Sequence, residues 1–423
     1  MTGSSVLLPV VGLASAPILA YGLGVTGRGT VSAAGAPNTL LVGVATLGLP
    51  EALTFFLAKQ PEFTRRALAW SSLFAILFGL ICFAVTWVAL PFLSAGSPEL
   101  AGLILISTAL ALPQLVVNLL RGAASGRQMW GTVAAEKLTS PLVRLGALLV
   151  LLVTGHLTVL NAVLVISIGS AISGIVYLRL FTRPAETVGT APITGSLARS
   201  LLGFGGRVWL GAVASVLLAR ISQLLFAPLS NVHELGLFVV GITISDVPLI
   251  VALAIKDALY GVNSRSADAT QLMATTRITL LVAVTGCLAL GATLPLWIGV
   301  LFGPSFSAAV VPTWILMLAA VVSIPGLLAA SGLAAWGRPG LRSVGLAVTL
   351  VVNIGAFVVL VPPYGAVGAG LAGLTSGLFS SAFMVIAAAR LMHGSVGDFV
   401  VPRHEDVSRI LHEGRRMVAR LRR

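Results

Sequence analysis

The sequence predicts an all-α membrane protein with about twelve transmembrane helices, arranged as two lobes of six. Three observations support this prediction: an apolar composition, twelve apolar stretches separated by short polar breaks, and an internal repeat. Hydrophobic residues make up 57% of the 423-residue chain and charged residues only 9%, and the mean hydropathy is +1.04. A soluble domain of this length cannot bury so much apolar surface, so the lipid bilayer is expected to cover part of it.

The apolar stretches have the length that a membrane span requires. A hydrocarbon core of about 30 Å is crossed by roughly 20 helical residues. The stretches are 5–24, 34–58, 67–93, 100–120, 138–154, 158–181, 200–227, 235–255, 278–302, 308–333, 343–361 and 366–391. The breaks between them are too short to form an extracytoplasmic domain.

Basic residues are distributed unevenly between the two sides of the predicted membrane. The formal net charge is +13, from 26 basic and 13 acidic residues. The gaps that follow even-numbered stretches contain most of the arginines and lysines, and the alternate gaps contain almost none, with Arg28 as the exception. By the positive-inside rule, the even-to-odd gaps and both termini are predicted to be cytoplasmic.

An internal repeat relates the two halves of the chain. GLPEALTFFLAKQ (48–60) resembles SDVPLIVALAIKD (245–257), and RGAASGRQMWGTV (121–133) resembles SGLAAWGRPGLRSV (331–344). Each match falls after the same number of helices in its half, which predicts a parallel duplication of six helices. The lobes are then 1–181 and 200–391. A cytoplasmic linker at 182–199 joins them, and a basic cytoplasmic tail at 392–423 follows.

Three polar side chains interrupt the apolar sequence of the seventh and eighth stretches. Arg220 and Gln223 share a helix face, because they are three residues apart, and Asp246 falls near the middle of the next stretch. Polar groups at that depth are costly and normally face a cavity or an ion-pair partner, so Arg220 and Asp246 are expected to pair. Snorkelling of Arg220 to the outer interface is the alternative, and Arg144 is interpreted as a snorkelling anchor near the cytoplasm.

Four segments together resemble the polysaccharide or oligosaccharide flippases of the MOP superfamily, which also contains lipid II flippases and MATE drug exporters. They are GVTGRGTVSAAGAPNTLLVGVATLGLPEALTFFLAKQ (24–60), FGGRVWLGAVASVLLARISQLLFAPLSNVHELGLFVV (204–240), LFGPSFSAAVVPTWILMLAAVVSIPGLLAASGLAAWGRPGLRS (301–343) and VPPYGAVGAGLAGLTS (361–376). The resemblance covers residues 22–391. It implies two six-helix lobes forming a V around a central cavity.

The resemblance also implies the function. Such a chain moves undecaprenyl-diphosphate-linked oligosaccharide from the inner to the outer leaflet of the cell membrane by alternating access, for cell-surface polysaccharide synthesis. Its partners are this substrate and possible glycan polymerases or glycosyltransferases, and the coupling ion, a proton or sodium, is left open. A lipid II flippase or a MATE-type exporter is the alternative within the superfamily, although no Asp or Glu precedes Glu51. An integral membrane polymerase or acyltransferase is the alternative of another class.

Two further residues enter the predicted cavity through this resemblance. Arg28 either caps an outer loop or contacts diphosphate at the cavity rim, and Glu51 is either a cytoplasmic-gate contact or a hydrated carboxylate. Two positions depart from the family: Tyr21 stands where members often have Arg, and Ser222 where they have Asp. The histidines and cysteines show no metal-ligand spacing and the chain has no Walker A sequence, so no enzyme activity, metal or cofactor is expected.

The C-terminal segment HEDVSRILHEGRRMVARLRR (404–423) has apolar residues at helical spacing and arginines at the remaining positions. This pattern is typical of a basic amphipathic helix on a membrane surface, which predicts anionic lipids as the partner and no nucleic acid. A disordered basic tail is the alternative, and Gly414 weakens a continuous helix.

Overall fold

The computed structural model describes residues 2–182, 197–266, 269–403 and 405–406. These residues form helices joined by short turns, and none of them belongs to a strand. The helices are α1 (Thr2–Ala45), α2 (Leu49–Leu57), α3 (Thr64–Val88), α4 (Leu90–Leu93), α5 (Pro98–Ala109), α6 (Ala111–Gly126), α7 (Trp130–Val153), α8 (Val159–Ile172), α9 (Arg179–Thr182), α10 (Leu197–Leu229), α11 (Val232–Ser266), α12 (Ala269–Phe302), α13 (Val310–Ala335), α14 (Pro339–Leu391) and α15 (Gly397–Val400). The predicted linker at 182–199 and the predicted tail helix at 404–423 fall almost entirely outside the described residues.

The predicted membrane spans are found in these helices. Eight of the described helices are long and apolar enough to cross a membrane, or nine if the bent pair α1 and α2 is counted as one span. α14 contains two predicted spans, which meet at the non-helical residue Gly365. α7 is equally long but contains Glu136, Lys137 and Arg144. The prediction of an all-α membrane fold is confirmed.

The connection between the first two predicted spans differs from the prediction. Residues 25–33 were expected to form an outer loop, but α1 is interrupted only at Gly24, where φ is 67° and ψ is −175°. One residue in a conformation that glycine adopts without strain is sufficient to redirect the chain. Arg28 therefore lies in the first turn of the second half of α1 and does not cap a loop.

α3 shows the distribution of side chains expected for a helix in lipid. Its buried face consists largely of small residues at intervals of four, namely Ala67, Ser71, Ala75 and Gly79. Its outer face is formed by large apolar side chains such as Leu77, which is 51% exposed. Small residues allow close helix packing, and large apolar residues face the acyl chains.

The chain forms two compact units. The first consists of Met1–Val239 and Leu301–Ser305, and the second of Val240–Val300 and Phe306–Arg423. The core of the first unit contains the fully buried Leu49, Leu53 and Leu119. The core of the second contains Leu333 of α13, Ala388 of α14 and Phe399 of α15. The predicted lobe boundaries, 1–181 and 200–391, stay a prediction.

Glycines allow α10 and the start of α11 to approach α1 closely in the first unit. A Cβ built on Gly205 of α10 would lie 2.5 Å from the carbonyl oxygen of Leu47, just after α1. A Cβ built on Gly29 of α1 would lie 1.7 Å from the carbonyl oxygen of Val232. No side chain fits at either point, so these backbones are in direct contact. The indole Nε1 of Trp209 adds a hydrogen bond of 2.7 Å to the carbonyl of Val44.

Equivalent turns in the two halves support the predicted repeat. Gln128, between α6 and α7, and Gly337, between α13 and α14, both have left-handed backbones, with φ of 56° and 73°. The next amide after each of them donates to the carbonyl five residues earlier, at 2.9 Å in both turns. This bond is characteristic of the Schellman motif that ends many helices. Gly155 and Gly365 form a second pair of residues with positive φ. The residues of the first pair are 209 positions apart and those of the second pair 210, so the turns recur at an almost constant separation.

Candidate functional site

Arg28 is the predicted site residue with the most informative environment. It lies one turn after the break at Gly24, on a face of α1 that differs from the face in contact with α11. That second face includes Gly29, against the carbonyl of Val232, and Thr26, whose hydroxyl lies 3.3 Å from Nδ1 of His233. α11 therefore fixes the orientation of this turn.

The Arg28 side chain runs along α1 and away from the break. Its Nη1 donates to the hydroxyl of Ser32, one turn later, at 3.1 Å. Gly35, on the same face, has open space where a Cβ would be, and Thr39, one further turn on, is exposed. Residues spaced at i, i+4, i+7 and i+11 share a helix face. Arg28, Ser32, Gly35 and Thr39 have this spacing, so Arg28 belongs to a polar stripe of small residues beside open space.

Arg144 lies further from the first residue of its helix than predicted. α7 begins at Trp130, eight residues before the predicted start of this span, so Arg144 is fourteen residues, or about 21 Å, from its first residue. The interpretation of Arg144 as an anchor near the cytoplasmic interface stays a prediction, because the first residue of α7 does not mark the membrane boundary. α8 packs beside it: a Cβ built on Gly169 would meet the Cβ of Arg144 at 3.8 Å and no other atom within 4 Å.

Arg28 and Arg144 lie on helices of one packed group. Within the described part of the first unit, α1, α7 and α8 pack against one another. The Nε atom of each guanidinium is buried without a hydrogen-bond partner. Within the described residues, neither arginine forms a salt bridge. Both side chains are partly exposed, so the burial of each concerns its Nε atom and not the whole guanidinium.

Arg220 and Gln223 are brought together as predicted. Nη1 of Arg220 donates to Oε1 of Gln223 at 3.2 Å, on an exposed part of α10 in the first unit. Ser222 lies between them in sequence and is partly exposed. Asp246 is an exposed residue of α11 in the second unit. Its pairing with Arg220 stays a prediction.

Glu51 and Tyr21 are both at accessible positions. Glu51 is exposed in the first turn of α2, where the helix dipole favours a carboxylate. Tyr21 is 68% exposed, three residues before the break in α1. These positions leave both interpretations of Glu51 open.

A buried carboxylate that the sequence did not indicate lies near the start of α7. Glu136 is 2% exposed and accepts two hydrogen bonds of 2.9 Å from Nε and Nη2 of Arg121. The hydroxyl of Tyr177 donates to the same carboxylate at 3.2 Å, and that of Ser173 lies 3.5 Å from it. This arrangement joins the end of α6, α7 and the turn after α8. A span prediction based on hydropathy cannot find it, because the partner of Glu136 is fifteen residues away.

No group of three His, Cys, Asp or Glu residues within the described ranges could hold a metal ion. Cys82 and Cys287 are free and partly buried.

Comparison with known proteins places the chain in a family. A family model described as "Polysaccharide biosynthesis protein" matches residues 2–267, more than half of the chain. The chain belongs to this polysaccharide biosynthesis protein family. It is a multi-pass membrane protein, since eight or nine of its described helices are long and apolar enough to cross a membrane. Among curated proteins, no match was found.

Solved structures share the fold of this polysaccharide biosynthesis protein. The inward closed conformation of the lipid II flippase MurJ superimposes with a TM-score of 0.74 at 11% identity, covering 94% of this chain and 88% of that protein. An inward-facing multidrug resistance MATE transporter gives 0.71 at 14% identity, with coverage of 93% and 99%. An outward-facing MATE transporter gives 0.55 at 13% identity, with coverage of 92% and 95%. At such identities the likeness supports the fold alone.

Proposed function

We propose that this protein is a flippase for undecaprenyl-diphosphate-linked oligosaccharide in the plasma membrane. It turns the headgroup from the inner to the outer leaflet for polysaccharide assembly. The observation that supports this proposal is the match to the polysaccharide biosynthesis family, in a chain whose Arg28 and Arg144 each have a buried Nε without an acceptor. A lipid-linked diphosphate is a multiply charged oxyanion, and guanidinium groups bind such anions by charge-assisted hydrogen bonds.

The remaining polar residues fit a sugar headgroup or a coupling ion. Arg220 and Gln223 present adjacent donors and an amide on α10, which suits hydroxyl-rich sugars. Asp246 is the candidate for proton or sodium coupling, and Glu51 the candidate for a contact at the cytoplasmic gate. Both termini are placed in the cytoplasm by the distribution of basic residues. Glycosyltransferases that build the repeat unit and a polymerase that consumes it are the expected partners.

A lipid II flippase is the second candidate, because MurJ shares the fold over 94% of this chain. The two candidates differ in cargo and not in the required chemistry, since both substrates are lipid-linked diphosphates. A drug exporter of the MATE type is less compatible with Arg28 and Arg144, which form no salt bridge within the described residues, if its cargo is cationic.

The proposal is tested in cells by deletion and complementation. Loss of the protein should trap lipid-linked repeat units in the inner leaflet and abolish surface polysaccharide, and the unaltered gene should restore both. Asp246→Asn should reduce transport more than protein abundance if the carboxylate couples an ion. Normal surface polysaccharide after deletion would reject the proposal. Growth arrest with accumulated lipid II would instead support the second candidate.

A further inference from the structure

A groove between α12 and α13, in the second unit, is not used by the function proposed above. Leu288 of α12 and Leu318 of α13 line it and are 67% and 51% exposed, so the groove is open to the surroundings of the protein. Both helices are long and apolar enough to cross a membrane. The molecules that surround such helices are the hydrocarbon chains of the bilayer.

Trp314 forms one wall of the groove and is fixed by an irregularity in the backbone of α12. Pro295 has no N–H, so the carbonyl of Gly291, four residues earlier, loses its intrahelical donor. Nε1 of Trp314 donates to this carbonyl at 2.9 Å. The neighbouring helix thus satisfies the backbone group that proline frees. The indole is therefore held in place, and the groove is preformed.

The groove runs along the middle of α12. Trp314 lies beside Gly291, and Sγ of Cys287 lies 4.0 Å from the carbonyl oxygen of Met317, so α12 and α13 are antiparallel here. The lining of α12 extends over residues 284–292, which is about 12 Å of helix. It begins fifteen residues after the first residue of α12 and ends ten before the last. A ligand in the groove therefore lies at the depth of lipid chains and not of headgroups.

The lining suits hydrocarbon and offers nothing to a charged or hydroxyl-rich group. The polar side-chain atoms in it are Nε1 of Trp314 and Sγ of Cys287, and both face backbone carbonyls. A site for sugars would instead present free donors and acceptors. Between Arg277 and Arg338 the sequence contains no charged residue, so a lipid-linked diphosphate finds no cation on this stretch. The headgroup of a zwitterionic phospholipid needs none.

The size of the groove fits part of one lipid chain. At about 490 Å³ it is about three times as large as an engineered apolar cavity of about 150 Å³ that binds benzene. Lipid chains in the bilayer are as apolar as the groove, so binding depends on dispersion contacts with its walls and not on leaving water. We propose that the groove between α12 and α13 binds one acyl chain of a zwitterionic membrane phospholipid, against the wall formed by Trp314. This inference does not depend on the identity of the cargo.

The experiment uses the full-length protein in nanodiscs of phosphatidylcholine, a small fraction of which carries a diazirine midway along one acyl chain. Irradiation followed by mass spectrometry locates the labelled residues, which are expected to concentrate in the groove relative to lipid-facing helices such as α3. Ala292→Phe fills the groove and is expected to lower its labelling about tenfold, the effect of losing about ten heavy-atom contacts. Ala289→Phe adds the same ring to an exposed residue of α12 that does not line the groove, and it is the matched control.

A second variant keeps the test decisive if Ala292→Phe does not fold. Val284→Phe fills the other end of the groove and is expected to have the same effect. Labelling that is spread evenly over the lipid-facing helices, or that is unchanged in the filled variants, would overturn the site.

Two other occupants of the groove are separate outcomes, and each would overturn the proposal. Undecaprenol that removes the label at a mole fraction at which unlabelled phosphatidylcholine has no effect would assign the groove to a polyprenyl chain. In the Cys82→Ser protein, Cys287 is the single thiol. A disulfide-linked dimer formed on oxidation of this variant would assign the groove to a second copy of the chain. Neither competition by undecaprenol nor a dimer is expected.

Discussion

Arg277 and Asp406 are 129 residues apart in sequence and form a buried salt bridge with two hydrogen bonds. Nε of Arg277 donates to Oδ2 of Asp406 at 2.6 Å and Nη2 to Oδ1 at 3.1 Å. Arg277 is 6% exposed and Asp406 is 1% exposed. A third donor, Nη1, bonds to the carbonyl of Asp398 at 2.6 Å. The described residues of 393–406, here called the C-terminal strap, are thus fixed to the start of α12.

Asp406→Asn is expected to destabilise the second unit substantially. The change leaves the Arg277 charge buried beside a neutral amide, and breaking one side of a buried pair typically costs about 3–5 kcal/mol. Thermal unfolding of the purified protein measures the loss. Glu62→Gln, an exposed carboxylate of the first unit, serves as control and should change little. Equal melting temperatures for Asp406→Asn and the unaltered protein would contradict the salt bridge.

The network around Glu136 predicts an asymmetric response to substitution. Glu136 has a side chain 2% exposed, whereas that of Arg121 is 37% exposed and can be hydrated if its partner is lost. Arg121→Met strands a buried carboxylate and is expected to cost about 3–5 kcal/mol of unfolding free energy. Glu136→Gln should cost less, and Tyr177→Phe, which removes one hydrogen bond to a charged group, about 1–2 kcal/mol. Chemical or thermal unfolding of the three variants gives the order. Loss of more stability in Glu136→Gln than in Arg121→Met would refute the explanation.

Gln128 offers a site for stabilisation. Its left-handed backbone costs a residue with a side chain roughly 1–2 kcal/mol, and Gly337 avoids this cost at the equivalent turn. Because glycine loses more backbone entropy on folding, Gln128→Gly is expected to gain only about 1 kcal/mol. The reciprocal change, Gly337→Gln, should lose a similar amount. Melting temperatures of the two variants check both signs, and a fall in both would show that the Gln128 side chain has a role of its own.

The sequence predicts the membrane spans well because hydropathy and helical length are local properties. It fails where a charge is neutralised by a distant residue. α7 begins eight residues before the predicted fifth span, because Glu136 and Lys137 look too polar for an apolar stretch, although Arg121 neutralises Glu136.

The candidate site was predicted in part. Arg220 and Gln223 are predicted because they interrupt apolar sequence, and the contact between them follows from their spacing. Arg28 is predicted only through the family resemblance. The packing of α1, which contains Arg28, against α7, which contains Arg144, is not encoded by any local pattern. The break at Gly24 was not predicted either. One residue with a positive φ redirects the chain there, whereas residues 25–33 were expected to form a loop.

The C-terminal strap determines where a reporter protein can be attached to map membrane topology. Hydropathy alone suggests a fusion directly after α14, at Leu391. Such a fusion would delete Phe399 from its fully buried position and leave Arg277 as an uncompensated charge beside the membrane. Degradation of the misfolded second unit would lower the reporter signal. A weak signal from a reporter that is active in the cytoplasm would then be taken for an extracytoplasmic terminus. Reporters joined after Arg423 retain the strap and report the location of the terminus in the intact fold.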